Sequence, residues 1–322
     1  MIERRAGSGT YVRASAPSLL TTRQLGLLVP GFENTEIFGL ICGELAGLAQ
    51  AQDYSLLWGN SMLPHRDTDS SLEHAEAICR QFIERRVNGV FFAPFELVAE
   101  GDKTNQHLAE LLRQAGIPVV LLDRDLQPFP NRSDFDLVGI DNVAAGFLLA
   151  EHLLRLGCER LCFVARPLSA PTVDARLAGV REALVRRHIE PAPGWVRPGD
   201  PADLKFVRSI TAGRQADAFI CANDFTAARL LRALESIGLR VPREVRVVGF
   251  DDVKYATLLS VPLTTVHQPC RDIAVTAFHT MLQRIAEPSL PARSLALTPT
   301  LVVRESCGAY LSRRDPPKRP HE

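Results

Sequence analysis

The chain has 322 residues, 46% of them hydrophobic, and its 37 Lys plus Arg are balanced by 37 Asp plus Glu. That length accommodates about two domains or lobes with sizeable cores, and the even charge excludes a bulk nucleic-acid binder while leaving room for a local basic patch. The seven cysteines form no Cys-x-x-Cys pair and no His/Cys ladder; reduced core thiols in a cytoplasmic protein are expected, with neither a disulfide framework nor a metal site. No apolar run reaches membrane-spanning length, and the N-terminal arginines are not followed by an apolar signal core.

In chain order, residues 1–13 stand apart. Their IERRAGSGTYV is an arginine pair, a glycine-rich turn, then an aromatic and a β-branched residue, the composition of a β-hairpin with its tip at Gly7–Gly9. Residues 14–23 read as a linker. From there strands and helices alternate. Gln24–Val29, Tyr54–Trp58, Gly89–Ala93 and Val119–Asp123 are strands, separated by helices over Ile37–Gln52, Glu73–Arg86 and Leu108–Ala115. Val138–Ile140 restarts the rhythm. Asp141-Asn142 is expected to cap a helix running to Leu156, followed by a strand over Arg160–Ala165, a helix over Leu177–His188, a strand over Gly194–Arg197 and a helix over Pro201–Ala212.

The stretch 220–252, ICANDFTAARLLRALESIGLRVPREVRVVGFDD, closes the pattern. A short buried strand leads into Asn223 and Asp224. Ala227, Leu230, Leu231, Leu234 and Ile237 then share one helical face, Gly238 suits a helix end, and an apolar strand runs into Asp251 and Asp252. Val266–Arg284 supplies a helix that returns to the first half, and Ser294–Val303 a strand that crosses back; 311–322 reads as a disordered tail. LAELLRQAGIPVVLLDRD (108–125) repeats the plan helix, glycine, apolar strand, acid, so each half presents a carboxylate at a strand end: Asp123 and Asp251. The fold expected is α/β, two doubly wound parallel-sheet lobes with a ligand cleft between them. The predicted boundaries are 24–124 with 266–292 for the first lobe and 137–264 with 294–306 for the second, within a domain over 24–310.

The 220–252 stretch, together with VPLTTVHQP (261–269), resembles the effector-binding half of the lactose/galactose repressor family, which shares a periplasmic-binding-protein-like type I fold with sugar receptors. The resemblance implies ligand contacts from Asp251, from Asn223, from Arg176 in TVDARLAG, from Thr172 four residues earlier, from Asp123 at the hinge, and from Phe38, whose ring would lie against a sugar or base. Arg124 reads as a solvated charge. The resemblance further implies a sugar or sugar-like effector, a homodimer and no cofactor. Residues 1–13 resemble the last wing of a winged-helix DNA-binding domain of the gluconate-repressor (GntR) type, which would set Arg4 and Arg5, on strands joined through Gly7 and Gly9, near phosphates. A helix-turn-helix ahead of that wing is not in the sequence given, so operator DNA would be bound only through a complete winged-helix domain. Other readings are a free-standing sugar receptor, which would need an export signal, and a Rossmann-like enzyme. The sequence holds no G-x-x-x-x-G-K-[ST], no H-E-x-x-H and no nucleophile elbow, and the eight histidines are scattered, which speaks against an enzyme.

Overall fold

The computed structural model describes residues 2–5, 9–12, 23–29, 36–60, 68–98 and 101–311. Residues 14–22 of the expected linker, residues 312–322 of the expected tail, and Gly7 lie outside these. At the N-terminus β1 (Ile2–Arg5) and β2 (Gly9–Val12) pair antiparallel, Ile2 opposite Val12 and Arg5 opposite Gly9. The hairpin expected there is therefore formed.

Two six-stranded sheets follow. The first is built from β3 (Arg23–Val29), β4 (Tyr54–Asn60), β5 (Gly89–Phe92), β6 (Val119–Leu122), β7 (Asp136–Ile140) and β13 (Ser294–Leu297), in the order β13-β7-β6-β5-β3-β4, all parallel. Side chains alternate across it as the two-residue period of a strand requires. Leu25, Leu27 and Phe91 enter the core under α1 (Ile37–Ala51) and α8 (Cys270–Ala286). Leu28, Val90 and Phe92 enter the opposite core, under α2 (Thr68–Glu84) and α3 (Gly101–Gln114). With each buried Leu, Ile, Val or Phe contributing about 1.5–3 kcal/mol, a sheet buried on both faces is the stable arrangement for such continuous apolar strands.

The second sheet has β8 (Leu161–Ala165), β9 (Val196–Pro198), β10 (Ala218–Cys221), β11 (Arg246–Asp251), β12 (Thr264–His267) and β14 (Thr300–Val302), in the order β14-β12-β11-β10-β8-β9, with only β14 antiparallel. Its faces are covered by α4 (Asn142–Arg155) with α5 (Pro171–Arg186), and by α6 (Leu204–Thr211) with α7 (Asp224–Ser236).

Three predicted boundaries change. Residues 136–140 do not open the second lobe; they pair with β6 in the first sheet. Residues 264–267 lie in the second sheet beside β11, and only the helix after them returns. The single strand expected over 294–303 is broken at Thr298–Pro299: β13 pairs with β7 and β14 with β12. Proline has no amide proton to continue a ladder, and the strand changes sheet there. The chain thus crosses between lobes at Asp141, at Gln268–Pro269 and at Thr298–Pro299, and the first and third crossings are tied by Asp141 N–H donating to Leu297 O at 3.0 Å.

Candidate functional site

The carboxyl ends of both sheets face each other, and the acids expected there take unusual backbone. Asp123 after β6 has φ 67°, and Asp251 at the end of β11 has φ 112°. Left-handed backbone at a residue with a Cβ is sparsely populated, and it turns both carboxyls off the strand line into the gap.

On the second lobe the centre is Arg176, 3% exposed in α5. Its Nη1 donates to Ala222 O at 2.6 Å, its Nε donates to Asn142 Oδ1 at 2.8 Å, and its Nη2 lies 3.5 Å from Asp251 Oδ1. The guanidinium carbon sits 4.6 Å from the centroid of the Phe250 ring. This pose depends on two glycines. A Cβ on Gly179 would fall 1.9 Å from Val143 O, and one on Gly146 would fall 1.9 Å from Arg176 O. Only bare backbone lets α4 and α5 touch, and that contact brings Arg176 to Asn142. The glycine of the RLAG motif is therefore part of how the arginine is aimed.

Asp251 also accepts from Gln268 Nε2 at 2.7 Å. Burial pushes its carboxyl up to about 6; Arg176 and Gln268 oppose the rise, while Asp123 and Glu96 across the gap add to it. Asp224 behaves differently. It is 0% exposed, its Oδ1 accepts from the Thr265 hydroxyl at 2.6 Å and its Oδ2 from Val253 N–H at 3.1 Å. Burial and the neighbouring Asp251 raise it well above the usual carboxylate range. A Cβ on Gly249 would sit 2.3 Å from Asp224 Oδ1, so glycine there makes room for this carboxyl. Asp252 is held by His267 Nδ1 at 2.9 Å and by Arg304. Of the four polar residues expected to converge at these strand ends, Asp251 faces the gap, Asp224 and Asp252 brace the loops behind it, and Asn223 caps α7, its Oδ1 accepting from Thr226 N–H at 2.9 Å.

On the first lobe Arg124 corrects the sequence reading. It is 2% exposed, not solvated, with Nη1 2.9 Å from Glu96 Oε1 and Nε 3.4 Å from Asp123 Oδ2. Its guanidinium carbon lies 5.2 Å from the Phe38 ring centroid. Phe38 is fully buried in the core, so the expected ring-on-ligand contact is replaced by a guanidinium laid over that ring. Each lobe thus presents an arginine stacked on a phenylalanine and tied to acids. At this centre the acceptors Asp123 Oδ1 and Gln268 Oε1 and the donors Arg124 Nε and Nη1 are buried with no well-aligned hydrogen-bond partner, a state that costs about 1–3 kcal/mol per atom and suits a partner arriving from outside.

Two cavities adjoin this centre. One of about 340 Å³ is lined by Asp123, Asp141, Asn142, Thr172 and the 129–132 loop; the other, about 240 Å³, by Glu96, Asn105, Arg124 and Ser169. Thr172 thus lines the larger cavity. Between them the lobes are bridged: Ala170 N–H donates to Glu96 Oε2 at 3.0 Å and Leu97 N–H to Leu168 O at 2.7 Å. Ala170 precedes α5, which has no side-chain cap of its own, so Glu96 of one lobe serves the helix terminus of the other. Glu96 and Gln268 were not singled out from the sequence, and Asn142 only as part of a helix cap. Asn142 follows Asp141, which does cap α4 by accepting from Ala144 N–H at 2.9 Å, and the pair read as one capping unit.

Two largely parallel sheets, crossed three times by the chain and converging on a polar cleft, define a two-lobed domain of the periplasmic-binding-protein-like type. Residues 150–307 match the family model for the periplasmic binding protein-like domain. The chain is 28% identical over 290 residues, 89% of its length and 82% of the relative's, to an HTH-type transcriptional repressor PurR from Aliivibrio salmonicida. Among solved structures it is similar to a transcriptional regulator CelR–cellobiose complex (TM-score 0.74, 23% identity, 88% of this chain and 84% of that one). It is also similar to a transcription regulator GntR from Chromobacterium violaceum (TM-score 0.68, 28% identity, 88% and 99%). These relatives are transcriptional regulators, not enzymes.

Proposed function

We propose that this chain is the effector-sensing part of a bacterial transcription regulator, a repressor, and that it holds a small hydroxyl-rich metabolite of the sugar class between its lobes. The observation that carries this reading is the facing pair of arginine–acid centres, Arg124 with Asp123 and Arg176 with Asp251, flanked by buried acceptors that lack donors. Hydroxyl-rich ligands need planar groups that both donate and accept. The similarity to a regulator solved with cellobiose supports the sugar class. Ligand contacts are assigned to Asp251, Arg176, Asn223, Asp123 and Thr172, with Arg124 taking the place of the Phe38 ring.

The signal is a population shift. A ligand that touches both lobes favours the bridged state seen here over an open one, in proportion to its differential affinity. The bacterial regulator acts in the cytoplasm as a homodimer, and its operator contacts come from a winged-helix domain of the GntR type whose last wing is β1–β2, with Arg4, Arg5, Gly7 and Gly9. The hairpin register and the 28% identity to a GntR regulator support that assignment. A thermal-shift screen of sugars, sugar derivatives and nucleobases tests the ligand class, since a binder of the folded form raises the melting temperature. A sugar-class binder whose shift disappears in Arg176→Met and in Asp251→Ala is the expected result; a binder that ignores both substitutions refutes the site. Specific operator binding by this chain alone in a gel-shift assay would refute the requirement for a complete winged-helix domain.

A further inference from the structure

The charge around the cleft discriminates between ligands more sharply than its shape. On the second lobe Arg176 is matched by Asp251. On the first, a single cation, Arg124, lies between two acids, Glu96 and Asp123. One negative charge on that lobe is therefore uncompensated, and Asp123 Oδ1 is the buried oxygen left without a donor. A further acid, Glu36, stands at the N-cap of α1 and acts across the gap on Tyr255 of the second lobe, whose phenol is pushed up first by burial and then by Glu36. At the outer rim of the smaller cavity Asp102 and Lys103 offset one another. Around the two arginine centres four acids (Glu36, Glu96, Asp123 and Asp251) face two arginines, a net charge of about −2 at neutral pH; in the larger cavity Asp125 is matched by Arg132, and Asp141, which caps α4, adds a further negative charge. Gln268 Oε1 is a further unpartnered acceptor, while the Nε and Nη1 of Arg124, which also make no well-aligned hydrogen bond, already lie against Asp123 and Glu96 at 3.4 and 2.9 Å. The cation of this lobe is thus taken up by its own acids, and the two free acceptors call for a donor from the ligand.

We infer that the ligand is a cation, a hydroxylated small molecule carrying a protonated amine, and that carboxylate- and phosphate-bearing metabolites are excluded. The inference rests on the small-metabolite reading above and narrows it. The ammonium would sit against Asp123 Oδ1 and Glu96, where its three donors have acceptors and where low dielectric strengthens the attraction. The faces of Phe38 and Phe250 already carry guanidinium groups, so the amine is recognised by carboxylates and not by an aromatic cage. An acid or phosphate would meet Glu96, Asp123 and Asp251 at once, a like-charge contact in a buried site.

The experiment compares charge on a fixed frame. Binding is measured by calorimetry and by thermal shift for D-glucosamine, D-glucose and D-gluconate, for the corresponding amine, neutral and acid forms of galactose and ribose, and for putrescine and propionate as frames without hydroxyls. In every sugar set of which any member binds, the amine is expected to bind at least tenfold tighter than the neutral parent, with no binding of the acid. Glu96→Gln, which keeps an acceptor for Ala170 N–H, is expected to lower the amine-to-neutral ratio at least fivefold, and Glu36→Gln to lower it less. A neutral or acidic sugar binding as tightly as its amine, or a ratio unchanged in Glu96→Gln with the fold intact by circular dichroism, overturns the inference while leaving the sugar reading in place. Binding of putrescine without any sugar keeps the charge rule and removes the sugar reading. Binding by no amine of either kind removes the charge rule.

Discussion

Substitution of Gly179 by alanine tests whether the touching backbones of α4 and α5 aim the ligand arginine. In an unobstructed helix the change would stabilise by about 1 kcal/mol, because alanine is the better helix former. Here the new Cβ would lie 1.9 Å from Val143 O and 2.7 Å from Phe147 N, both backbone atoms that cannot rotate away. Ordinary contact requires the helices to part by roughly 1.5 Å. Overpacking of that kind costs about 1–3 kcal/mol, and stretching the 2.8 Å Arg176–Asn142 bond removes an interaction with a charged group worth about 1.5–3 kcal/mol. The net expectation is a destabilisation of about 3 kcal/mol, a fall in melting temperature of roughly 6 °C for a chain of this size. Calorimetry of Gly179→Ala beside Val185→Ala, an exposed change on the same helix, measures it; the second variant should melt close to the parent. Gly146→Ala acts at the same crossing, so the double variant should lose less than the two singles added together. A Gly179→Ala protein that melts at or above the parent temperature would refute the close-crossing account.

The titration of Asp251 gives a signed prediction. Its folded-state carboxyl is raised from 3.8 to about 6, so its favourable contribution is complete below about pH 3.8 and is lost as pH rises through 6. Asp251→Asn should therefore gain on the parent between pH 4.5 and 7.5, by up to about 3 kcal/mol; a stability difference flat across that range in pH-resolved urea melts would contradict it. Ser306 accepts from Thr264 N–H at 2.8 Å and donates to Val247 O at 2.6 Å in a fully buried position. Ser306→Ala should cost about 1–3 kcal/mol by leaving both groups unpaired, and an unchanged urea midpoint would argue otherwise. Asn223→Ala removes the α7 cap and should cost about 1 kcal/mol in the same melts, with a loss of ligand affinity beyond that if Asn223 also reaches the ligand.

The alternation of strands and helices was readable because each sheet is covered on both faces, which makes its strands continuous apolar runs. What such runs lack is an address. Val138–Ile140 and Ser294–Leu297 are as apolar as their neighbours, and nothing local says which sheet recruits them; the crossing bonds decide it. The helix carrying Arg176 begins at Pro171 rather than Leu177, because proline at the first helical position supplies a start that apolar periodicity does not show. Asp251 and Arg176 stood out because the motifs around them are long. Arg124 did not, since a charge beside another charge usually means solvent. Its burial goes with the left-handed turn at Asp123, a backbone property that side-chain patterning does not encode.

The three crossings all leave from one side of the molecule: β13 and β7 are the outermost strands at one edge of the first sheet, and β14 and β12 hold the same places in the second. A connection pinned along one edge permits rotation about that edge and resists sliding. Displacement during opening then grows with distance from the pin, smallest at Asp141 and Gln268 and largest toward β4 and β9. The Leu97–Leu168 and Glu96–Ala170 contacts lie part-way along that arc, so a small change at the cleft floor is magnified before it reaches the far rim.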